Sequence, residues 1–191
     1  QAVAELYPDK KPFEIIKGYG YKKIMLQYGK GSIKKTGLYD EVMLSLKENG
    51  IEVVDMGGVE PNPKLSFVKK AIDVAKKEKV EMILAVGGGS ALDSSKYTAT
   101  GAKYDGDVWD FPTKKATPQD GLPVGCILTI SAAGSEMSSS AVISNNCAVF
   151  PGPYICIFFT LLVHSFNLSN TIFSLSSIDI FFITETLSVL L

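Results

Sequence analysis

Between residues 21 and 130 the chain alternates short apolar-rich runs with longer stretches in which apolar positions recur every three or four residues. The runs at 24–28, 51–56, 82–86 and 124–130 have strand length. The run 82–86 is apolar throughout, which marks a strand covered on both faces, as in a parallel sheet. The periodic stretches predict one helix over 33–49, stopped by Gly50, and a second over 65–79, entered through the break Pro61, Asn62, Pro63. A third helix is expected to begin near Ala91 and end near Gly101, followed by a polar, proline-bounded loop over 105–123. Strands and helices in strict alternation predict an α/β fold with a doubly wound, mainly parallel sheet.

The chemistry is concentrated where the strands end. The run VEMILAVGGGSALDSSK passes from the third strand through Gly87, Gly88 and Gly89 into a helix. Glycines can take positive φ and let an anion approach the backbone, and Ser90 is expected to cap a helix whose free N–H groups and positive dipole end face a diphosphate. Ser90 and Asp93 also have the spacing of a capping box, so a plain helix start remains an alternative. The segment departs from GxGxxG, because Leu92 stands at the last glycine, and it has no GK[ST] ending. Three further clusters support the ligand reading: Gly29, Gly31 and Ser32 after the first strand, Pro61 to Pro63 after the second, and the hydroxyl-rich 131–138 after the fourth. Ligands of open α/β sheets bind outside the carboxyl ends of the strands, so four such loops point to one dinucleotide-sized crevice.

Composition divides the chain near residue 146. All nineteen basic residues are Lys and lie at or before Lys115, whereas 147–191 carries only Asp179 and Glu185 as charges amid Phe, Ile, Leu, Ser and Thr. A net charge of -1 without a basic cluster argues against nucleic acid as a partner. Cysteines 126, 147 and 156 show no CxxC spacing, and Cys126 inside an apolar run reads as a reduced, buried thiol. Residues 1–9 have neither a basic n-region nor a long apolar stretch, so no signal peptide is read and a cytoplasmic location is expected. The apolar stretches 155–163 and 178–183 fall short of the roughly 20 residues of a membrane helix, so no membrane partner is expected.

The blocks YGKGSIKKTGLYDEV, GVEPNP, AVGGGSALDSSK, YDGDVWDF, LPVGCILTISAAGSEMS and AVISN, in this order over 21–146, resemble the iron-containing (group III) alcohol dehydrogenases, particularly their butanol dehydrogenase and aldehyde reductase branch. The resemblance implies a Rossmann-like N-terminal domain, shortened at its start, whose intact enzyme adds a helical metal-binding domain, forms a homodimer, and passes hydride between NAD(P)H and a small alcohol or aldehyde. It implies that Gly88, Gly89, Ser90 and Asp93 hold the diphosphate and neighbouring ribose, that Asn62 lies beside the adenosine, and that Ser131, Ser135 and Ser138 line the nicotinamide half. Glu136 either joins them or pairs with a local donor. Where NAD-preferring members often carry Asp, this chain has Lys30, flanked by Gly29, Gly31 and Ser32. A cation there favours the 2′-phosphate, so NADP(H) is expected over NAD(H), an exposed turn lysine being the alternative.

The resemblance also implies Fe2+ or Zn2+ held by an aspartate and three histidines. This sequence has one histidine, His164, so neither metal ligands nor catalytic residues are assigned. The expected organisation is thus a cofactor-binding domain over 1–146, inactive alone, and a non-family apolar segment over 147–191 with the composition of a read-through or frame error. A nucleotide-binding module without redox chemistry is the alternative, or a membrane-attached α/β protein if the apolar segment is genuine.

Overall fold

The computed structural model describes residues 2–6, 12–130, 134–145, 154–157 and 180–186. In chain order its strands are β1 (Ala2–Leu6), β2 (Lys23–Gly29), β3 (Glu52–Val59), β4 (Met82–Gly87), β5 (Val124–Leu128), β6 (Val142–Asn145), β7 (Tyr154–Ile157) and β8 (Ile180–Thr186). The helices are α1 (Pro12–Gly18), α2 (Ser32–Lys35), α3 (Leu38–Glu48), α4 (Leu65–Glu78) and α5 (Gly89–Ala102). A six-stranded sheet runs β1-β8-β5-β4-β2-β3, with β5, β4, β2 and β3 mutually parallel. Strand β8 closes the β5 edge antiparallel, pairing Val124 with Thr184 and Leu128 with Ile180, and β1 lies antiparallel outside it. Strands β6 and β7 form a separate antiparallel pair.

The runs at 24–28 and 82–86 are two-faced strands, whereas β3, at the sheet edge, exposes Glu52 and Asp55. Ile24, Leu26 and Tyr28 of β2 join Met82, Leu84 and Val86 of β4 against Ile16 of α1, Ile33 of α2, and Val42 and Leu46 of α3. The intervening Met25 and Ile83 face the other way, onto Ala71 and Ala75 of α4 and Ala99 of α5. Every residue of β4 is buried, and each large side chain among them contributes about 1.5–3 kcal/mol of burial.

Three expectations change at element ends. The helix predicted over 33–49 is two helices, because Gly37 takes φ +81 and becomes the N-cap of α3; apolar positions recur on both sides of the break, so periodicity alone bridges it. Strand β3 continues past residue 56 to Val59, and β5 stops at Leu128 rather than 130. Within 147–191, where no element was expected, Tyr154–Ile157 and Ile180–Thr186 are strands. His164 and Asp179 lie outside the described residues. No helix among the described residues is long and apolar enough to cross a membrane.

Side chains tie down the amino-terminal edge of the sheet. Glu81 Oε2 accepts from the backbone N–H groups of Lys22 and Lys23 at 2.6 and 3.0 Å. Lys23 Nζ lies 2.8 Å from Glu52 and 2.9 Å from Glu78. The opposite edge is built differently: the parallel strands end there in glycine turns and polar loops.

Candidate dinucleotide site

The order β3-β2-β4-β5 places the topological switch between β2 and β4, whose crossovers depart in opposite directions. Tyr28 is opposite Val86 and Gly87 opposite Leu128, so the turns after β2, β4 and β5 are neighbours. Gly29 is opposite Val59, which brings the end of β3 beside them.

At the β4–α5 turn the three glycines differ. Gly87 alone has positive φ, +151, and a Cβ on it would lie 3.2 Å from Cβ of Ala91. The fold itself requires glycine there. Gly88 is extended, at φ -97 and ψ -165, and a Cβ on it would meet nothing within 4 Å. Gly89 is the first residue of α5, and its Cβ would meet only Ser135 Cβ, at 3.9 Å. The helix therefore starts two residues before Ala91, and Gly88 rather than Ser90 is its N-cap. The capping box does not form, since glycine has no side chain to accept from the first turn and no side chain caps this helix. Its leading N–H groups are left to the solvent or a ligand.

Asp93, on the next turn of α5, turns toward the loop after β5. Its Oδ1 accepts from the Ser135 hydroxyl at 2.7 Å, and the carboxylate also takes the Val142 backbone N–H. Burial pushes this carboxyl above the ordinary range, with the Ser135 and Val142 bonds opposing. One turn further, Lys96 Nζ donates to the carbonyls of Ser135, Ser138 and Ser140 at 2.6, 2.7 and 2.9 Å, with Ser135 Oγ at 3.1 Å. Burial lowers the Lys96 pKa, and the charge of Asp93 opposes that. Ser135 begins the short 3-10 turn Ser135–Met137, entered through left-handed Gly134, and Ser138 Oγ accepts from the Ser140 N–H at 3.0 Å. Ser131 lies outside the described residues.

On the other side of the switch, Gly31 at φ +153 caps α2, and Ser32 is that helix's first residue. Lys30 Nζ pairs with Glu60 Oε1 at 2.7 Å, the lysine side chain largely exposed and the glutamate partly so. The Lys30 ammonium holds the Glu60 carboxyl below its usual range. Asn62 takes left-handed φ +54, a conformation asparagine tolerates better than most residues, and the Pro63 carbonyl accepts from Ser144 N–H at 2.8 Å. Gly29, Lys30, Gly31, Ser32 and Asn62 thus follow the ends of β2 and β3, Gly88, Gly89 and Ser90 follow the end of β4, and Ser135 and Ser138 lie in the loop after β5.

Two residues escape sequence reasoning. Glu60 carries no signal beyond its place beside Pro61. Lys96 stands three positions after Asp93, a spacing that puts both on one helix face and was the available clue. Among the described residues no group of three or more His, Cys, Asp or Glu side chains could hold a metal ion.

The family model described as "Iron-containing alcohol dehydrogenase" matches residues 11–148. The protein named "Probable NADH-dependent butanol dehydrogenase 1" of Bacillus subtilis (strain 168) is 52% identical over 132 residues, 69% of this chain and 34% of that protein. An NADPH-dependent aldehyde reductase of Escherichia coli (strain K12) is 41% identical over 125 residues, covering 64% of this chain and 32% of its own length. The crystal structure of NADH-dependent butanol dehydrogenase A from Thermotoga maritima superposes with a TM-score of 0.69 at 54% identity, over 70% of this chain and 34% of that one. The chain spans about a third of the length of the curated relatives it matches. It shares their parallel sheet and flanking helices, and it belongs to the iron-containing alcohol dehydrogenase family.

Proposed function

We propose that residues 1–146 form the cofactor-binding part of a metal-dependent NAD(P)H alcohol dehydrogenase or aldehyde reductase. The observation that carries this reading is the open space at Gly88. Neither backbone conformation nor any neighbour demands glycine there, yet a side chain would project into the gap before the uncapped start of α5. An anion seated in that gap, against N–H groups and the positive end of a helix, explains the residue.

The dinucleotide, when bound, supplies a hydride donor or acceptor for a carbonyl or alcohol carbon. This chain's residues bind and orient it. Gly88, Gly89 and Ser90 offer the diphosphate backbone N–H groups without a side chain in the way. Gly29, Gly31, Ser32 and Asn62 frame the adenosine end, and the loop bearing Ser135 and Ser138 bounds the nicotinamide end. The described residues do not fit the metal that the family description names.

Lys30 gives the adenosine end its cofactor preference. Its ammonium favours the 2′-phosphate of NADP(H), while Glu60 already occupies one of its donors and would sit close to that phosphate. The named relatives include both NADH- and NADPH-dependent enzymes. Calorimetric titration of the 191-residue chain with NADPH, NADH and ADP-ribose tests the site, saturable binding of all three being expected. Absence of binding would refute it. Carbonyl-dependent NADPH oxidation by the same chain, with and without added Fe2+, is expected to be undetectable; metal-dependent turnover would contradict that part of the reading.

A further inference from the structure

Lys96 has an arrangement that neither the fold nor the diphosphate cradle requires. Its side chain leaves α5 two turns after the glycine turn and reaches a loop some forty residues later in sequence. An ammonium has three protons, and the carbonyls of Ser135, Ser138 and Ser140 stand 2.6, 2.7 and 2.9 Å from this one. Ser135 Oγ, at 3.1 Å, is the most distant of its four oxygens, and that hydroxyl spends its own proton on Asp93.

The loop offers little other order. Gly134 is left-handed, the 3-10 turn is three residues long, and Ser138 to Ser140 belong to no strand or helix. Three carbonyl dipoles converging on one point repel each other unless a cation sits among them. Lys96 is that cation, and Asp93, one turn earlier on the same helix, holds the Ser135 hydroxyl and the Val142 N–H at the two ends of the same segment.

We propose that Lys96 is a positioning residue: with Asp93 it latches the 134–142 segment to α5, so that the helix whose start receives the diphosphate also fixes the loop bounding the nicotinamide. The proposal rests on the cofactor reading above. It assigns Asp93 to the latch in place of direct contact with the diphosphate ribose, because its Oδ1 and its N–H partner are already committed within the chain. It also means that Ser135 meets the cofactor through its backbone or not at all, its hydroxyl being engaged on both sides.

The test uses the 191-residue chain, its Lys96→Met and Ser135→Ala variants, and Lys96→Arg as the conservative control. Two quantities are measured. One is the rate of cleavage after Glu136 by a glutamyl endopeptidase, which reads the latch without any cofactor. The other is the affinity for NADPH against 2′-phospho-ADP-ribose, which lacks only the nicotinamide, with NADH and ADP-ribose run in parallel.

Lys96→Met is expected to speed cleavage after Glu136 about tenfold and to weaken the complete dinucleotides about tenfold, the scale of one charge-assisted contact, while leaving the fragments within about twofold. Ser135→Ala should shift both readouts the same way by less, and Lys96→Arg should restore slow cleavage. Unchanged cleavage and unchanged NADPH affinity in either of the first two variants would overturn the latch, as would an equal loss of cofactor and fragment. If Lys96→Met does not fold, Ser135→Ala alone decides. If the parent chain binds neither NADPH nor the fragment, the cofactor reading fails, and the protease rates still decide whether Lys96 orders the loop.

Discussion

The Ser135 hydroxyl donates to Oδ1 of Asp93 at 2.7 Å, joining the loop after β5 to the second turn of α5 across 42 positions of sequence. A bond of this range fixes tertiary structure rather than local helix geometry. Asp93→Ala removes the acceptor for both Ser135 and the Val142 N–H. It is expected to cost about 1.5–3 kcal/mol in denaturant unfolding, the value of a hydrogen bond to a charged group.

The same carboxyl sets a pH dependence whose sign is opposite to that of most acids. Burial raises its native pKa above the ordinary 3.8, so the native state holds the proton more tightly than the unfolded chain. The associated stability is full below 3.8 and is lost as pH rises through the raised native value. Over that window the parent should lose stability relative to Asp93→Asn, which does not titrate. Urea midpoints of the two proteins across acidic pH check this; a parent that gains on the variant with rising pH would contradict it.

Gln27 is fully buried on β2, where its Nε2 donates to Thr98 Oγ1 and its Oε1 accepts from Ser95 Oγ, each at 3.0 Å. This polar seam fixes the register of α5 on the sheet and with it the position of the glycine turn. Gln27→Ala leaves a cavity, strands the buried Ser95 hydroxyl and takes the Gln27 donor from Thr98, whose own proton stays on the Ser94 carbonyl, and should cost about 2–4 kcal/mol in thermal or urea unfolding. A loss below about 0.5 kcal/mol would show the seam to be immaterial.

Lys30 and Glu60 should shift cofactor preference in opposite directions. Lys30→Asp removes the partner of the 2′-phosphate and adds a repelling charge, whereas Glu60→Gln frees Lys30 from its 2.7 Å pair. The NADPH to NADH affinity ratio is expected to fall about tenfold or more in the first and to rise severalfold in the second, with both effects smaller at higher salt. Unchanged ratios in both variants would return Lys30 and Glu60 to the role of an exposed surface pair.

Much of the architecture is legible because buried strands leave runs that are apolar or, as at Gln27, nearly so, and 24–28 and 82–86 are strands at nearly those bounds. The break at Gly37 is not, since Ile33 before it and Val42 and Leu46 after it bury the same face. Residue type locates the glycine turn, but which of its three glycines bends the chain depends on contacts such as Gly87 with Ala91. Lys96 is the least legible, because its partners are backbone carbonyls, which no residue type announces.

If the space before α5 receives a dinucleotide diphosphate, Gly88→Val fills it with a side chain. The backbone at Gly88 is extended and a Cβ there meets nothing within 4 Å, so the fold should accept the side chain with a stability change within about 0.5 kcal/mol. Calorimetric titration of parent and Gly88→Val with NADPH and NADH, beside their urea unfolding curves, is the measurement. Equal stability and at least tenfold weaker binding of both cofactors are expected in the variant. A folded Gly88→Val chain that binds NADPH and NADH as tightly as the parent would contradict that expectation.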